Sequence, residues 1–215
     1  MTRNLRLPDA PVAAEDGRMT APSALRNRAA ITQAVLDHAP AKGRALEIAS
    51  GTGEHVVTLA TATPGLDWQP SDIDPARRRS VDAWVESEGV TNVARAMYLD
   101  ATRPGWSGEA GLVDFILLVN LLHLISDEAA ATVLDEMVRA LASGGVALIY
   151  GPFLRDGRAT SEGDRAFDAS LRAQDPSIGY KDAGWVSSRL SLAGLGMAEE
   201  REMPANNLAL VFMKA

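Results

Sequence analysis

The stretch Arg44-Ala45-Leu46-Glu47-Ile48-Ala49-Ser50-Gly51-Thr52-Gly53-Glu54-His55 constrains the fold more than any other part of the chain. An apolar run ends in a turn of small residues, and a helix-compatible run from Val56 to Ala62 follows. Gly51 and Gly53 allow a sharp turn and a close approach of backbone to a ligand. A strand that enters a helix through such a turn sets free N–H groups and the positive end of the helix dipole beside the strand end. A carboxylate or phosphate is favoured there. The G-x-G-x-x-G spacing of dinucleotide sites is absent. The plainer alternative is a tight β–α turn that binds nothing.

The rest of the chain repeats this alternation. Ser23 is a candidate cap for a helix that runs to about Ala39, with Leu25, Ile31, Val35 and Leu36 as apolar positions. Strands are expected at Ala45–Ala49, Trp68–Ser71, Val93–Leu99, Val113–Asn120 and Val146–Tyr150. Between them lie a helix to about Ala62, a helix opened by Asp74-Pro75 and closed by Gly89, and a helix capped by Ser126 or Asp127. A further helix near Asp182–Ala193 precedes two strands, Met197–Glu202 and Leu208–Met213, joined by Pro204-Ala205-Asn206-Asn207. Strands alternating with helices imply an α/β fold with a mostly parallel sheet, helices on both faces and a C-terminal antiparallel hairpin. Residues 1–22 show no periodicity and are expected as an extended or mobile arm, leaving 23–215 as one domain.

Composition narrows the function classes. Of 215 residues, 47% are hydrophobic and 23% charged, which suits one globular domain with a sizeable core. The net charge of −7 argues against a general nucleic-acid or lipid-surface binder, which needs a basic face. The run Arg77-Arg78-Arg79 reads as a solvated helix face before it reads as a phosphate site. With no cysteine there is no disulfide, thiolate nucleophile or Cys-ligated metal. The longest apolar run, Phe115 to Leu122, is broken by Asn120 and too short to span a bilayer. Arg3 and Arg6 are followed by no continuous apolar stretch, so no signal peptide is expected and the location is read as cytoplasmic.

Polar residues at the ends of successive strands are the chemical candidates, because ligands of open parallel sheets sit outside those ends. Glu47 precedes the Gly51–Gly53 turn. Asp72 ends the second strand, where a carboxylate accepts both ribose hydroxyls. Asp74 next to it is better placed to cap a helix. Asp100 and Ala101 follow the third strand at a place suited to an adenine contact. Asn120 and His123 follow the fourth. Singly, an Asp at a strand end is more often a turn former, and a lone His on an apolar stretch is more often structural.

The ordered series Glu47-x-Ala49-x-Gly51-x-Gly53, then Asp72, then Asp100-Ala101, then Asn120, resembles the motifs of the class I S-adenosylmethionine-dependent methyltransferases, with Ala49 where that family usually has Gly. Further segments are similar to one narrower group of that fold, the DUF938 proteins. They are Arg26-Asn27, Trp68-Gln69-Pro70-Ser71-Asp72, Tyr150-Gly151-Pro152-Phe153, Phe167-Asp168-Ala169-Ser170-Leu171-Arg172 and Glu202-Met203-Pro204-Ala205-Asn206-Asn207-Leu208. The resemblance implies a Rossmann-like methyltransferase fold and S-adenosyl-L-methionine as cofactor. It implies a cofactor site at Asn27, Glu47, Ala49, Gly51, Gly53, Asp72, Asp100, Ala101 and Asn120.

On the acceptor side, Arg28, Phe153, Asn206 and Asn207 are candidate substrate contacts, and Asn120, His123 and Tyr150 candidate catalytic groups. Each has a plain alternative: core packing for Tyr150 and Phe153, left-handed turn formation for Asn206 and Asn207, and a solvated cation for Arg28. Methyl transfer from a sulfonium needs alignment and exclusion of water, and a base only for a protonated acceptor. His123 is the expected base. No acidic pair follows the fourth strand, so no metal is expected. The expected acceptor is a small molecule, with no nucleic-acid or membrane partner, and a homodimer is allowed as an assembly. Two rival readings stand beside this one: a non-catalytic S-adenosylmethionine-binding module, and a different reaction of the same cofactor.

Overall fold

The computed structural model describes residue 5 and residues 10–215. Of the arm expected at 1–22, residues 1–4 and 6–9 lie outside the described residues. Within the rest, Val12–Ala13 (β1) pairs antiparallel with Met19–Thr20 (β2). This small hairpin is tied to the body of the fold. The Met19 N–H donates to Ser80 Oγ at 2.7 Å, Trp84 Nε1 donates to the Met19 carbonyl at 2.8 Å, and the Arg18 guanidinium lies over the Trp84 ring.

The first long helix, Pro22–His38 (α1), starts at Ala21 and not at Ser23, and no side chain caps it. Pro22, lacking an N–H, stands at the first helical position, where no donor is needed. Then follow Gly43–Ile48 (β3), Glu54–Ala62 (α2), Leu66–Asp72 (β4), Pro75–Glu88 (α3), Met97–Tyr98 (β5), Trp106–Ala110 (α4), Val113–Val119 (β6), Asp127–Ala140 (α5), Leu141–Leu154 (β7), Glu162–Gln174 (α6), Lys181–Asp182 (β8), Ala183–Leu192 (α7), Leu195–Glu202 (β9) and Asn207–Lys214 (β10).

The strand order is β5-β4-β3-β6-β7-β10-β9, with β8 beside β7. Strands β3 to β7 pair in parallel, as the alternating pattern requires. Strand β10 is antiparallel to both β7 and β9, so β10 alone is inverted and β9 runs with the parallel set.

Several elements depart from the sequence reading. The third strand, expected over Val93–Leu99, shrinks to Met97–Tyr98 with one bridge from Val93 to Trp68, because it forms the sheet edge and has a partner on one side. The turn Ser143-Gly144-Gly145 survives as an irregularity inside β7. Val113 pairs with Leu141 and Phe115 with Val146, so the residues between bulge out, with Gly144 at φ +75°. The five-residue helix α4, the 13-residue helix α6 and strand β8 had no counterpart in the reading.

Strand alternation divides the core in two. Ala45, Phe115, Leu117, Val146, Leu148 and Tyr150 face a cluster built with Ile31 and Val35 of α1 and Val56 and Leu59 of α2. Leu46, Ile48, Ile116, Leu118, Ala147, Ile149 and Phe153 face the opposite cluster, with Leu134 and Met137 of α5 and Val186 of α7. This parity fixes which polar residues at the strand ends can meet.

Candidate functional site

The Gly51–Gly53 turn is laced to the neighbouring strand. The Ser50 N–H donates to the Ser71 carbonyl at 2.8 Å, Ser71 Oγ donates to the Glu47 carbonyl at 2.8 Å, and the Gly51 N–H donates to Asp72 Oδ2 at 3.0 Å. Asp72 Oδ1 also accepts the Asp74 N–H at 2.9 Å. Burial pushes the Asp72 carboxyl upward against these bonds. Asp74 accepts the Ala76 N–H at 2.7 Å and caps α3. Ala49 at φ +56° and Gly51 at φ +59° both take the left-handed conformation, so the close turn begins two residues earlier than the glycines suggest.

The N-terminus of α2 meets the chain's own acid. Glu54, its first residue, accepts the Thr52 hydroxyl at 2.8 Å and the Ala21 N–H at 2.9 Å through Oε2. It thus joins the hairpin segment to the turn.

Outside these strand ends lies a cavity of about 820 Å³. Its floor is Glu47, Ala49, Ser50, Gly51 and Thr52. One wall comes from α1 and the segment before it: Ala21, Ser23, Ala24, Arg26 and Asn27. Val119, Asn120 and Leu121 form the middle, and Tyr150, Pro152 and Asn207 the side. His123, Leu124, Asp164, Phe167 and Tyr180 close the far end.

Glu47 is the electrostatic centre of the floor. It is 1% exposed, and its Oε2 has no hydrogen-bond partner. Burial, with the Asp72 charge nearby, pushes its carboxyl up to about 8. A buried carboxylate oxygen without a partner is costly unless a cation or donor meets it.

A polar chain runs along the side wall. His55 Nε2 lies 2.9 Å from Asn27 Oδ1, and the Asn27 and Asn207 amides lie near enough to the Tyr150 hydroxyl to oppose the upward push of burial on it. Burial lowers His55 to about 4, so its imidazole is neutral at physiological pH. Tyr150 reaches Asn27 because the even positions of β7 face α1.

Phe153 has the other parity. It packs in the core against the α5 and α7 side and does not line the cavity, which is the packing alternative. Asn206, at φ +59°, is an exposed left-handed turn residue outside the lining, whereas Asn207, at φ −73°, is turned inward. Arg28 is off the lining too. On α1 the cavity face carries Ser23, Ala24, Arg26 and Asn27, and Arg28 lies about 100° further round the helix from Asn27.

Gly53, Asp72, Asp100 and Ala101 also stand outside the lining. Gly53 faces α3. Asp100 turns its Oδ1 to the Thr102 N–H and hydroxyl, and Ala101 is buried with its carbonyl accepting from Trp106 Nε1.

His123 is 6% exposed and sits in an aromatic group with Phe167 and Tyr180, the three ring pairs edge-on at 5.9–6.0 Å between centroids. Burial and the Lys181 ammonium hold its imidazole down at about 3. Asp164, Tyr180 and Lys181 were missed by the sequence reading. Their segment pairs with the rest of the site only across the fold, and the helix that carries Asp164 in its first turn was not itself read from the sequence. Among the described residues no group of three or more His, Asp or Glu side chains is placed to hold a metal ion. No helix among them is long and apolar enough to cross a membrane.

A family model described as "Protein of unknown function (DUF938)" matches residues 18–214. Among solved structures, the chain is similar to an O-methyltransferase family protein from Burkholderia thailandensis, with TM-score 0.75 and 17% identity over 90% of this chain and 57% of that one. It is similar to the mitomycin 7-O-methyltransferase MmcR, with TM-score 0.72 and 16% identity over 90% of this chain and 54% of that one. It is also similar to PigF with SAH, with TM-score 0.68 and 22% identity over 84% of this chain and 53% of that one. The chain thus spans little more than half the length of these proteins, and at such identities the likeness shows the fold: Rossmann-like, of the methyltransferase type.

Proposed function

The chain belongs to the DUF938 family, and we propose that it is an S-adenosyl-L-methionine-dependent methyltransferase of a small-molecule acceptor. The observation that carries this reading is Glu47 Oε2, buried, unpartnered and beside the cavity floor at the end of β3. A ligand bearing an ammonium group next to its reactive centre supplies the missing partner. The left-handed backbone at Ala49 and Gly51 leaves room for it. The likeness to an O-methyltransferase family structure and to PigF with SAH supports the same cofactor.

When bound, the cofactor would supply a sulfonium-activated methyl group, which the acceptor's nucleophile would take in line as the S-adenosylhomocysteine thioether leaves. Glu47, with its unpartnered Oε2, would hold the ammonium of the amino-acid end. Asn120, at φ +55° and fixed by its N–H to the Tyr150 carbonyl at 2.8 Å, presents its amide where the two halves of the cavity meet. Asp72, which ends β4, and Asp100, which follows β5 at the same sheet edge, would hold the nucleoside end. Asp72 already carries two backbone N–H bonds, and a carboxylate has further lone pairs for ribose hydroxyls. Tyr150, lining the cavity beside the Asn27 and Asn207 amides, would offer its hydroxyl to an acceptor. The aromatic end excludes water.

A general base works best with a proton affinity near the working pH, and His123 lies far below it. Its imidazole therefore acts as a wall and a neutral hydrogen-bond acceptor, and alignment carries the rate.

Calorimetric titration with S-adenosylhomocysteine tests the cofactor. Release of S-adenosylhomocysteine from S-adenosylmethionine on addition of small phenols, amines and thiols tests turnover. Binding without turnover across the set would favour the non-catalytic module, and no binding would overturn the reading.

A further inference from the structure

The far end of the cavity has a chemistry of its own. Asp164, 9% exposed, lines it, with Oδ2 accepting the Ser161 hydroxyl at 2.7 Å and the Thr160 hydroxyl at 3.2 Å. Oδ1 accepts only the Tyr180 hydroxyl, at a long 3.3 Å. Every partner of this carboxylate among the described residues is a neutral hydroxyl, and no cation there pairs with it. Oδ1 therefore keeps accepting capacity on the cavity side.

Beside it stand the rings of His123, Phe167 and Tyr180, which offer flat apolar surfaces at mutual angles of 62–74°. Such a set favours a planar ring packed edge-to-face or offset. Charge decides the rest. Lys181, buried behind His123, is bonded to the Ile125 and Gly179 carbonyls and paired with Asp127 at 3.0 Å, yet its charge still reaches His123, so it opposes a cation at this end, and Asp164 opposes an anion.

We propose that the methyl acceptor is a small neutral aromatic molecule, its ring packed against His123, Phe167 and Tyr180 and its hydroxyl or N–H donated to Asp164. This rests on the methyltransferase reading and names its substrate class.

The test uses the full chain and fluorine NMR titrations with 4-fluorophenol, 4-fluoroanisole, trans-4-fluorocyclohexanol and 4-fluorobenzylammonium, each with and without saturating S-adenosylhomocysteine. 4-Fluorophenol should bind about tenfold tighter than the anisole, which lacks the donor, as one hydrogen bond to a charged acceptor implies. It should also exceed the non-planar alcohol and the cation. Asp164→Asn should shrink the phenol-to-anisole ratio about tenfold. Phe167→Ala should weaken both aromatic probes and leave S-adenosylhomocysteine affinity unchanged. Equal binding of anisole and phenol, tighter binding of the cyclohexanol or the cation, or an unaltered ratio in a folded Asp164→Asn would overturn the proposal. Should Asp164→Asn fail to fold, the wild-type probe order and Phe167→Ala decide alone. Absence of S-adenosylhomocysteine binding with the phenol preference intact would overturn the methyltransferase reading and leave the aromatic site standing.

Discussion

Gly53 lies so close to α3 that a Cβ placed on it would stand 2.8 Å from the Val81 Cα. The two glycines of the turn therefore do different work. Gly53, at φ +98°, lets two helices pack, whereas a Cβ at Gly51 would meet nothing closer than the end of the Arg77 side chain at 3.3 Å.

Gly53→Ala combines backbone strain with a collision against backbone, and should cost about 2–4 kcal/mol. Gly51→Ala carries the strain of φ +59° alone and should cost about 1–2 kcal/mol. Urea unfolding of the two variants compares them. A larger loss for Gly51→Ala would contradict the packing role of Gly53.

Asp72 and Asp74 should separate in the same way. Asp72→Ala removes the acceptor of the Gly51 and Asp74 N–H groups, so stability and S-adenosylhomocysteine affinity should fall together, each by about 1–3 kcal/mol. Asp74→Ala removes a helix cap and should cost about 1 kcal/mol of stability with affinity retained. Thermal melts and calorimetry on both variants read the difference, and an affinity loss confined to Asp74→Ala would reverse the assignment.

Glu47 should make ligand binding depend on pH. With its carboxyl near 8 in the empty site, an ammonium-bearing ligand must drive off a proton below that pH. S-adenosylhomocysteine affinity should therefore rise from pH 6 to 7.5, approaching tenfold per unit at the acid end, with proton release seen in buffers of different ionisation heat. Glu47→Gln should flatten the slope and bind more weakly at pH 7.5. A flat wild-type profile would remove Glu47 from the ligand contact.

The same groups shape stability. His55 and His123 have folded values of about 4 and about 3 against 6.5 unfolded, so between those limits the unfolded chain holds more protons. Their stabilisation is present above pH 6.5 and lost as pH falls. Glu47 works oppositely. Its folded value of about 8 lies above the unfolded 4.5, so it destabilises the fold increasingly as pH rises through that window. Two histidines outweigh one carboxyl below pH 6.5, and the carboxyl acts alone above it. Stability of the ligand-free protein should peak near pH 6.5, Glu47→Gln should remove the alkaline decline, and a monotonic rise to pH 8 would refute the burial of an unpaired Glu47.

Local pattern determined the alternating strands and helices, the parallel sheet and the place of the turn at Gly51. Each depends on periodicity, small residues and short-range sterics that neighbours in sequence settle. The same pattern placed Glu47, Asp72 and Asn120 at strand ends. It could not say which way a strand-end residue faces. Tyr150 and Phe153 look alike in sequence, yet their opposite parity on β7 sends one to Asn27 and the cavity and the other into the core with α5 and α7. The hairpin at residues 12–20 is bound by Ser80 and Trp84, more than sixty positions away, so no local signal announces it. The far wall formed by Asp164, Phe167 and Tyr180 became a site only when β8 paired with β7 and brought that segment against His123. The floor residues were written in a motif, whereas the proposed acceptor end arises from contacts between segments distant in sequence, and those exist only in the folded chain.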